Sequence, residues 1–146
     1  MITLADMQRA LDVAREKKNE LQIKLRKAAS ELVSTYQDSL QAEGKQLVET
    51  GEWVDGGYCR MPVTAIELGQ EGALNFVLST TLENHVVSKF KVSVSIEMRE
   101  RDQNLAVRIE GEALPVLVVG DAVEGRFYET AERIKAAVLA KIDRLV

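Results

Sequence analysis

Along residues 86–99 apolar and polar side chains alternate. Val86, Ser88, Phe90, Val92, Val94, Ile96 and Met98 fall on one face, and Val87, Lys89, Lys91, Ser93, Ser95, Glu97 and Arg99 on the other. A period of two is that of a β-strand with one face buried and one wet. Leu74, Phe76, Leu78, Thr80 and Leu82 predict the strand before it, Leu105, Val107, Ile109 and Gly111 the strand after it, and Thr64, Ile66 and Leu68 an earlier one. The intervening segments Gly69–Gly72, Glu83–His85 and Arg101–Asn104 are hairpin-short, so residues 58–119 predict an antiparallel meander of four to five strands, with Val116–Val119 as a short final strand or a covered loop. Facing apolar residues set two registers. Around Asp102-Gln103, Met98 should meet Val107 and Ile96 should meet Ile109. Around Glu83-Asn84-His85, a three-residue loop would pair Leu82 with Val86, Leu78 with Phe90 and Phe76 with Val92, with positive φ at Asn84 or His85.

Helical spacing holds on either side of the strands. From Leu4 to Thr50 there is no proline and one glycine, Gly44, and good helix formers dominate, which predicts a helical N-terminal arm over 1–50. Thr3 and Asp6 form a capping box at its start. Leu4, Met7, Leu11, Ala14, Leu21, Leu25, Ala28 and Leu32 keep a narrow 3-4 stripe that Lys18 interrupts; beyond Leu32 the stripe drifts to Tyr36, Leu40 and Leu47, as a bend near Ser30–Thr35 would make it. Asp121 is a good N-cap for a second helix over 121–146, whose apolar face is Phe127, Ala131, Ile134, Val138, Ile142 and Leu145. A one-sided sheet needs such a cover. The predicted class is therefore α+β: a long N-terminal helix, bent or folded as a hairpin if not straight, then the antiparallel sheet, then an amphipathic C-terminal helix on one sheet face.

Length turns the first helix into a question. Forty-odd helical residues would span about 70 Å, whereas a compact chain of 146 residues is about 40 Å across. The helix must fold back or bury its excess against another subunit. The second alternative makes Leu4, Met7, Leu11 and Leu21 the candidate partner-binding residues, with a homodimer or higher homo-oligomer as the expected assembly and another protein as the alternative partner.

The length suits one domain over 1–146, and an apolar share of 46% with 29% charged residues is that of a folding chain. A net charge of −4 gives no electrostatic reason to expect nucleic acid. No stretch reaches the roughly 18 apolar residues of a spanning helix, and one unpartnered cysteine, Cys59, fits a reducing compartment; no membrane association and a cytoplasmic location are the expectations.

Candidate chemistry is sparse. His85, the single histidine, sits in a predicted turn, and Cys59 beside Arg60 reads as a buried or half-buried residue at the mouth of a strand. Glu97, Glu100, Glu110 and Glu112 fall on neighbouring strands, where the register sets them against Arg and Lys rather than against each other. No catalytic, cofactor-binding or metal-ligating set emerges, and no cofactor is expected. Tyr36, Trp53, Tyr58 and Tyr128 are the candidate wall of a small-molecule pocket between helices and sheet. The basic run Arg9–Lys27 precedes an acidic one over 28–57, so an antiparallel pairing of two helices would lay opposite charges together. The leading expectation is a non-enzymatic, homo-oligomeric binding or adaptor protein. A small-molecule-binding protein or small enzyme is the alternative.

Overall fold

The computed structural model describes residues 1–83 and 89–145. Helix α1 (Leu4–Ser39) leads into strands β1 (Val48–Val54) and β2 (Gly57–Arg60), a 3₁₀ turn (Val63–Ala65), strands β3 (Leu74–Leu82), β4 (Phe90–Arg101), β5 (Asn104–Ile109) and β6 (Val116–Val118), and helix α2 (Tyr128–Asp143). The class is α+β. The strands form one antiparallel sheet in the order β2-β1-β3-β4-β5-β6, so among the described residues it has six strands and not four to five.

The two additional strands come from sequence that composition assigns to helix. α1 ends at Ser39, Gln41 turns to φ 54°, and Gly44 to φ 73°. Gln37 then holds the departing chain: its Oε1 accepts from the amides of Leu47 and Val48, both at 3.0 Å, and its Nε2 donates to the Lys45 carbonyl. Released from the helix, Val48 and Thr50 face the core and Glu49, Gly51 and Trp53 face outward. Asp55 (φ 49°) and Gly56 (φ 81°) supply the paired left-handed residues of a two-residue hairpin into β2. The predicted helix over 1–50 is thus corrected at its C-terminal fifth. The hairpin alternative falls with it, since Leu4–Ser39 is a single helix.

The β4–β5 hairpin has the predicted register, with Met98 opposite Val107, Ile96 opposite Ile109 and Glu97 opposite Arg108, turning through Asp102 and Gln103 at positive φ. The β3–β4 register differs from expectation. Leu82 pairs with Phe90, Leu78 with Val94 and Phe76 with Ile96. Each partner lies four residues further along than predicted. A shift by an even number keeps every side chain on its face, so alternation alone accepts both registers. The predicted strand residues Val86 to Ser88 and the φ of Asn84 and His85 lie outside the described residues. Thr64, Ile66 and Leu68 do not form a strand; Ile66 and Leu68 plug the gap between α1 and the sheet, tied by Arg26 Nε to the Ile66 carbonyl and by the Leu68 amide to Gln22 Oε1.

One sheet face carries the core. Leu25, Ala28, Ala29, Leu32 and Tyr36 of α1 and Phe127, Ala131, Ile134 and Val138 of α2 close over Leu74, Phe76, Leu78, Val94, Ile96, Met98, Leu105, Val107 and Ile109. The alanines let α1 lie close, as small residues do at a helix–sheet contact. α2 has the predicted apolar face from Phe127 to Ile142, while Leu145 is exposed beyond its end, and its N-cap is Phe127 and not Asp121, six residues later than expected. The reason is Arg126, whose guanidinium collects the carbonyls of Val119, Gly120 and Asp121 and so holds this stretch as a loop.

Within the core the Tyr36 hydroxyl bonds Thr80 Oγ1 at 2.8 Å, both side chains being buried. Burial pushes the Tyr36 pKa up, with the Thr80 bond working weakly against it. A raised folded-state pKa gives stability that is complete below the unfolded value and lost as pH rises through the folded one. Urea unfolding should accordingly show stability falling above about pH 10. Tyr36→Phe should cost about 1 kcal/mol at neutral pH, by leaving Thr80 unpaired, and should flatten part of the alkaline loss. Equal alkaline slopes in both proteins would contradict this account.

Candidate functional site

α1 divides into two unlike halves. Every residue from Met1 to Glu20 is exposed, whereas from Leu21 onward the helix lies on the globule. The free segment, residues 4–20, amounts to about five turns and 25 Å. It starts on a formed capping box: the Thr3 amide donates to Asp6 Oδ2 at 2.9 Å and the Asp6 amide to Thr3 Oγ1 at 3.2 Å, with Arg9 on the same carboxylate at 2.8 Å. The Thr3 amide, then the Thr3 side chain and Arg9, hold the Asp6 carboxyl below its ordinary value. Three of the four predicted partner-binding residues lie on this arm: Leu4 is 67% exposed, Met7 57% and Leu11 49%. Leu21 does not. It packs against the core edge, next to Gly72, and marks where the arm leaves the globule.

The acidic stretch expected to complement the basic arm is mostly not helical. Glu43, Glu49, Glu52 and Asp55 lie in the loop after α1 and in the β1–β2 hairpin, so two antiparallel helices cannot bring them onto Arg15–Lys27 as a continuous strip. The fold leaves no such strip of acids for the basic arm to meet.

The predicted aromatic wall is split by the sheet. Tyr36 is sealed in the core beneath it, Tyr128 stands exposed at the start of α2, and only Trp53 and Tyr58 come together, ring centroids 6.1 Å apart in an edge-to-face contact, on the sheet face away from both helices. Tyr58 lies over Gly51, where a Cβ would meet its ring at 2.7 Å. Its hydroxyl is buried. Burial, with a smaller push from Glu49 and opposed by Ser79, Lys91 and Arg60, holds its pKa above the usual value. Glu49 beside it is held by Lys91 at 2.7 Å and Arg60 at 3.3 Å.

Next to this pair the outer face hollows into an open cavity of about 420 Å³. Trp53 is one wall, with its Nε1 donating to Ser95 Oγ at 3.2 Å; Val77 is in the floor, and Asn75, Glu97, Arg108 and Glu110 complete the rim. The carboxylates are engaged by cations and not by one another, but the cations come from the helices or from the same strand and not from the facing register positions: Glu97 with Arg99 at 3.0 Å, Glu110 with Lys141 at 2.6 Å, Glu112 with Arg133 at 3.2 Å, and Glu100 with Lys24. Burial tends to raise the Glu110 pKa, but Lys141 and the Ser95 amide outweigh it and keep the carboxyl below its ordinary value. Arg108 faces Glu97 across the β4–β5 ladder and yet has no ion pair among the described residues, because Arg99 takes that carboxylate. The predicted register set Arg108 opposite Glu97 as an exposed pair but did not mark it as a site residue. The register located it, but which arginine wins Glu97 depends on side-chain geometry that no spacing encodes.

Cys59 is exposed on β2 and not half-buried, since β2 is the sheet edge. Among the described residues no group of three His, Cys, Asp or Glu side chains is placed to hold a metal, and no helix is long and apolar enough to cross a membrane. Comparison with protein-family models, with curated proteins and with solved structures finds no match to this chain.

Proposed function

We propose that the chain is a self-associating binding protein, whose α1 arm pairs with the arm of a second copy in antiparallel orientation. The observation that carries the reading is the arm itself: about five capped turns with Leu4, Met7 and Leu11 exposed along one stripe and no intramolecular surface beneath them. Exposed Leu or Met side chains forgo about 1.5 to 3 kcal/mol of burial each, which a partner helix would recover.

Lys18 supports the orientation and the identity of the partner. It occupies the stripe position between Ala14 and Leu21. In a parallel homodimer Lys18 would face Lys18 of the second copy inside the seam, a like-charge contact with no compensating acid. In an antiparallel pair the stripes interlock so that Leu4 meets Leu21, Met7 meets Lys18 and Leu11 meets Ala14 of the other copy, and the flanking positions set Arg15 against Gln8 and Lys17 against Ala10. No like charges then meet. Leu21 at the root of one arm becomes the landing place for Leu4 at the tip of the other, so each globule is touched by its partner's tip. A seam this short lies at the small end of stable interfaces and suits a dissociation constant in the micromolar range.

Sedimentation velocity tests it. Wild type should move from monomer to dimer between about 1 and 100 µM. Met7→Asp with Leu11→Asp, both fully outside the core, should hold the chain monomeric, and Lys18→Leu should tighten the dimer about tenfold or more. A wild type that stays monomeric at the upper concentration, or a Lys18→Leu variant no tighter than wild type, would remove the proposal.

A further inference from the structure

We infer that the cavity on the outer sheet face binds a small aromatic carboxylate, with the ring against Trp53 and the carboxylate on Arg108. The two groups sit at opposite ends of one row across the sheet. Register continues from Gly51 opposite Val77 to place Trp53 beside Asn75, Asn75 opposite Glu97, and Glu97 opposite Arg108. Three strand spacings of about 4.8 Å separate the outermost α-carbons by about 14 Å, and two side chains leaning inward shorten that to the length of a phenylalkanoate.

Each end is ready before a ligand arrives. The indole is fixed by its hydrogen bond to Ser95 and by the edge of Tyr58, yet 56% of Trp53 stays exposed, so stacking on it needs no further ordering of the side chain. Val77 supplies a dry floor. At the other end the guanidinium is a planar fork suited to bidentate carboxylate, and every nearby acid that could fill it is held elsewhere: Glu97 by Arg99, Glu110 by Lys141 and Glu112 by Arg133. A volume of about 420 Å³ is within the usual range for small-molecule sites.

Trp53 is the sole tryptophan of the chain, so its fluorescence reports on this cavity alone. The full chain is titrated with 4-phenylbutyrate and with its neutral amide. The carboxylate should change Trp53 emission saturably and bind about tenfold or more tighter than the amide, and Arg108→Gln, an exposed position whose circular dichroism should match wild type, should make the two equal. The inference is overturned if the carboxylate gives no saturable change up to about 10 mM, if the amide binds as well in wild type, or if Arg108→Gln leaves the preference intact.

Discussion

Arg126→Met should lower the free energy of unfolding by about 3 to 5 kcal/mol, seen as a fall of about 10 °C in the thermal midpoint for a domain of this size. Only 6% of the Arg126 side chain is exposed. It donates to Glu31 through Nε and Nη2, the latter at 2.6 Å, sends Nη1 to the carbonyls of Val119, Gly120 and Asp121, and lies 4.9 Å from the Phe127 ring centroid. Methionine fills similar volume but leaves those acceptors without a donor. The loop before α2 then loses its anchor to α1. Glu31 is 35% exposed and can be reached by water, so Glu31→Gln should cost clearly less, because the arginine keeps its three carbonyls. If both substitutions proved equally mild, the loop would have to be held by something other than this guanidinium.

Gly120→Ala should cost a comparable amount, about 3 to 5 kcal/mol. A Cβ there would lie 1.8 Å from the Gln103 carbonyl oxygen and 3.0 Å from its carbon, an overlap with backbone that no rotamer change relieves. Gln103 cannot retreat easily. It sits at φ 69° in the two-residue turn between β4 and β5, and the Gly120 amide is bound to Asn104 Oδ1 at 3.1 Å. The cheaper adjustment is for β6 to peel away, which exposes Val116 and Val118, each worth about 1.5 to 3 kcal/mol of burial. Hydrogen exchange in Gly120→Ala should therefore accelerate first over residues 116–118. Protection there equal to wild type, with an unchanged melting point, would refute the assignment of this contact.

What could be read in the sequence follows from how local its cause is. The capping box at Thr3 and Asp6 is a four-residue device and appears as expected. The hairpin at Asp102-Gln103 is closed by apolar residues on both arms within a few positions of the turn, and its register matches. The register across residues 83–89 did not, because the pattern fixes which face a residue takes but tolerates an even slip, and turn length decides between the choices. β1 was hidden for a different reason. Gln, Glu, Lys and Leu up to residue 47 suit a helix as well as a loop, and the signals of a strand were the alternation of Val48 and Thr50 with Glu49 and Gly51 and the Asp55-Gly56 turn dipeptide that follows. The candidate aromatic wall failed through topology. Alternation shows that two residues lie on one face of a strand, but Tyr36 and Trp53 belong to different layers, and their separation by the sheet is set by the order in which the chain adds strands.

The division of α1 into a docked and a free half has a consequence for how the arm stays ordered. A segment of 17 residues cut from the protein would be a marginal helix in water, because closing the first turn fixes several dihedrals for a single hydrogen bond. In the intact chain that first turn never has to form. Leu25, Ala28, Leu32 and Tyr36 keep the second half of α1 clamped to the sheet, and the free turns only add residues to a helix already nucleated there. The globule thus acts as a permanent seed for its own projection, and the arm enters any encounter with its backbone entropy already lost.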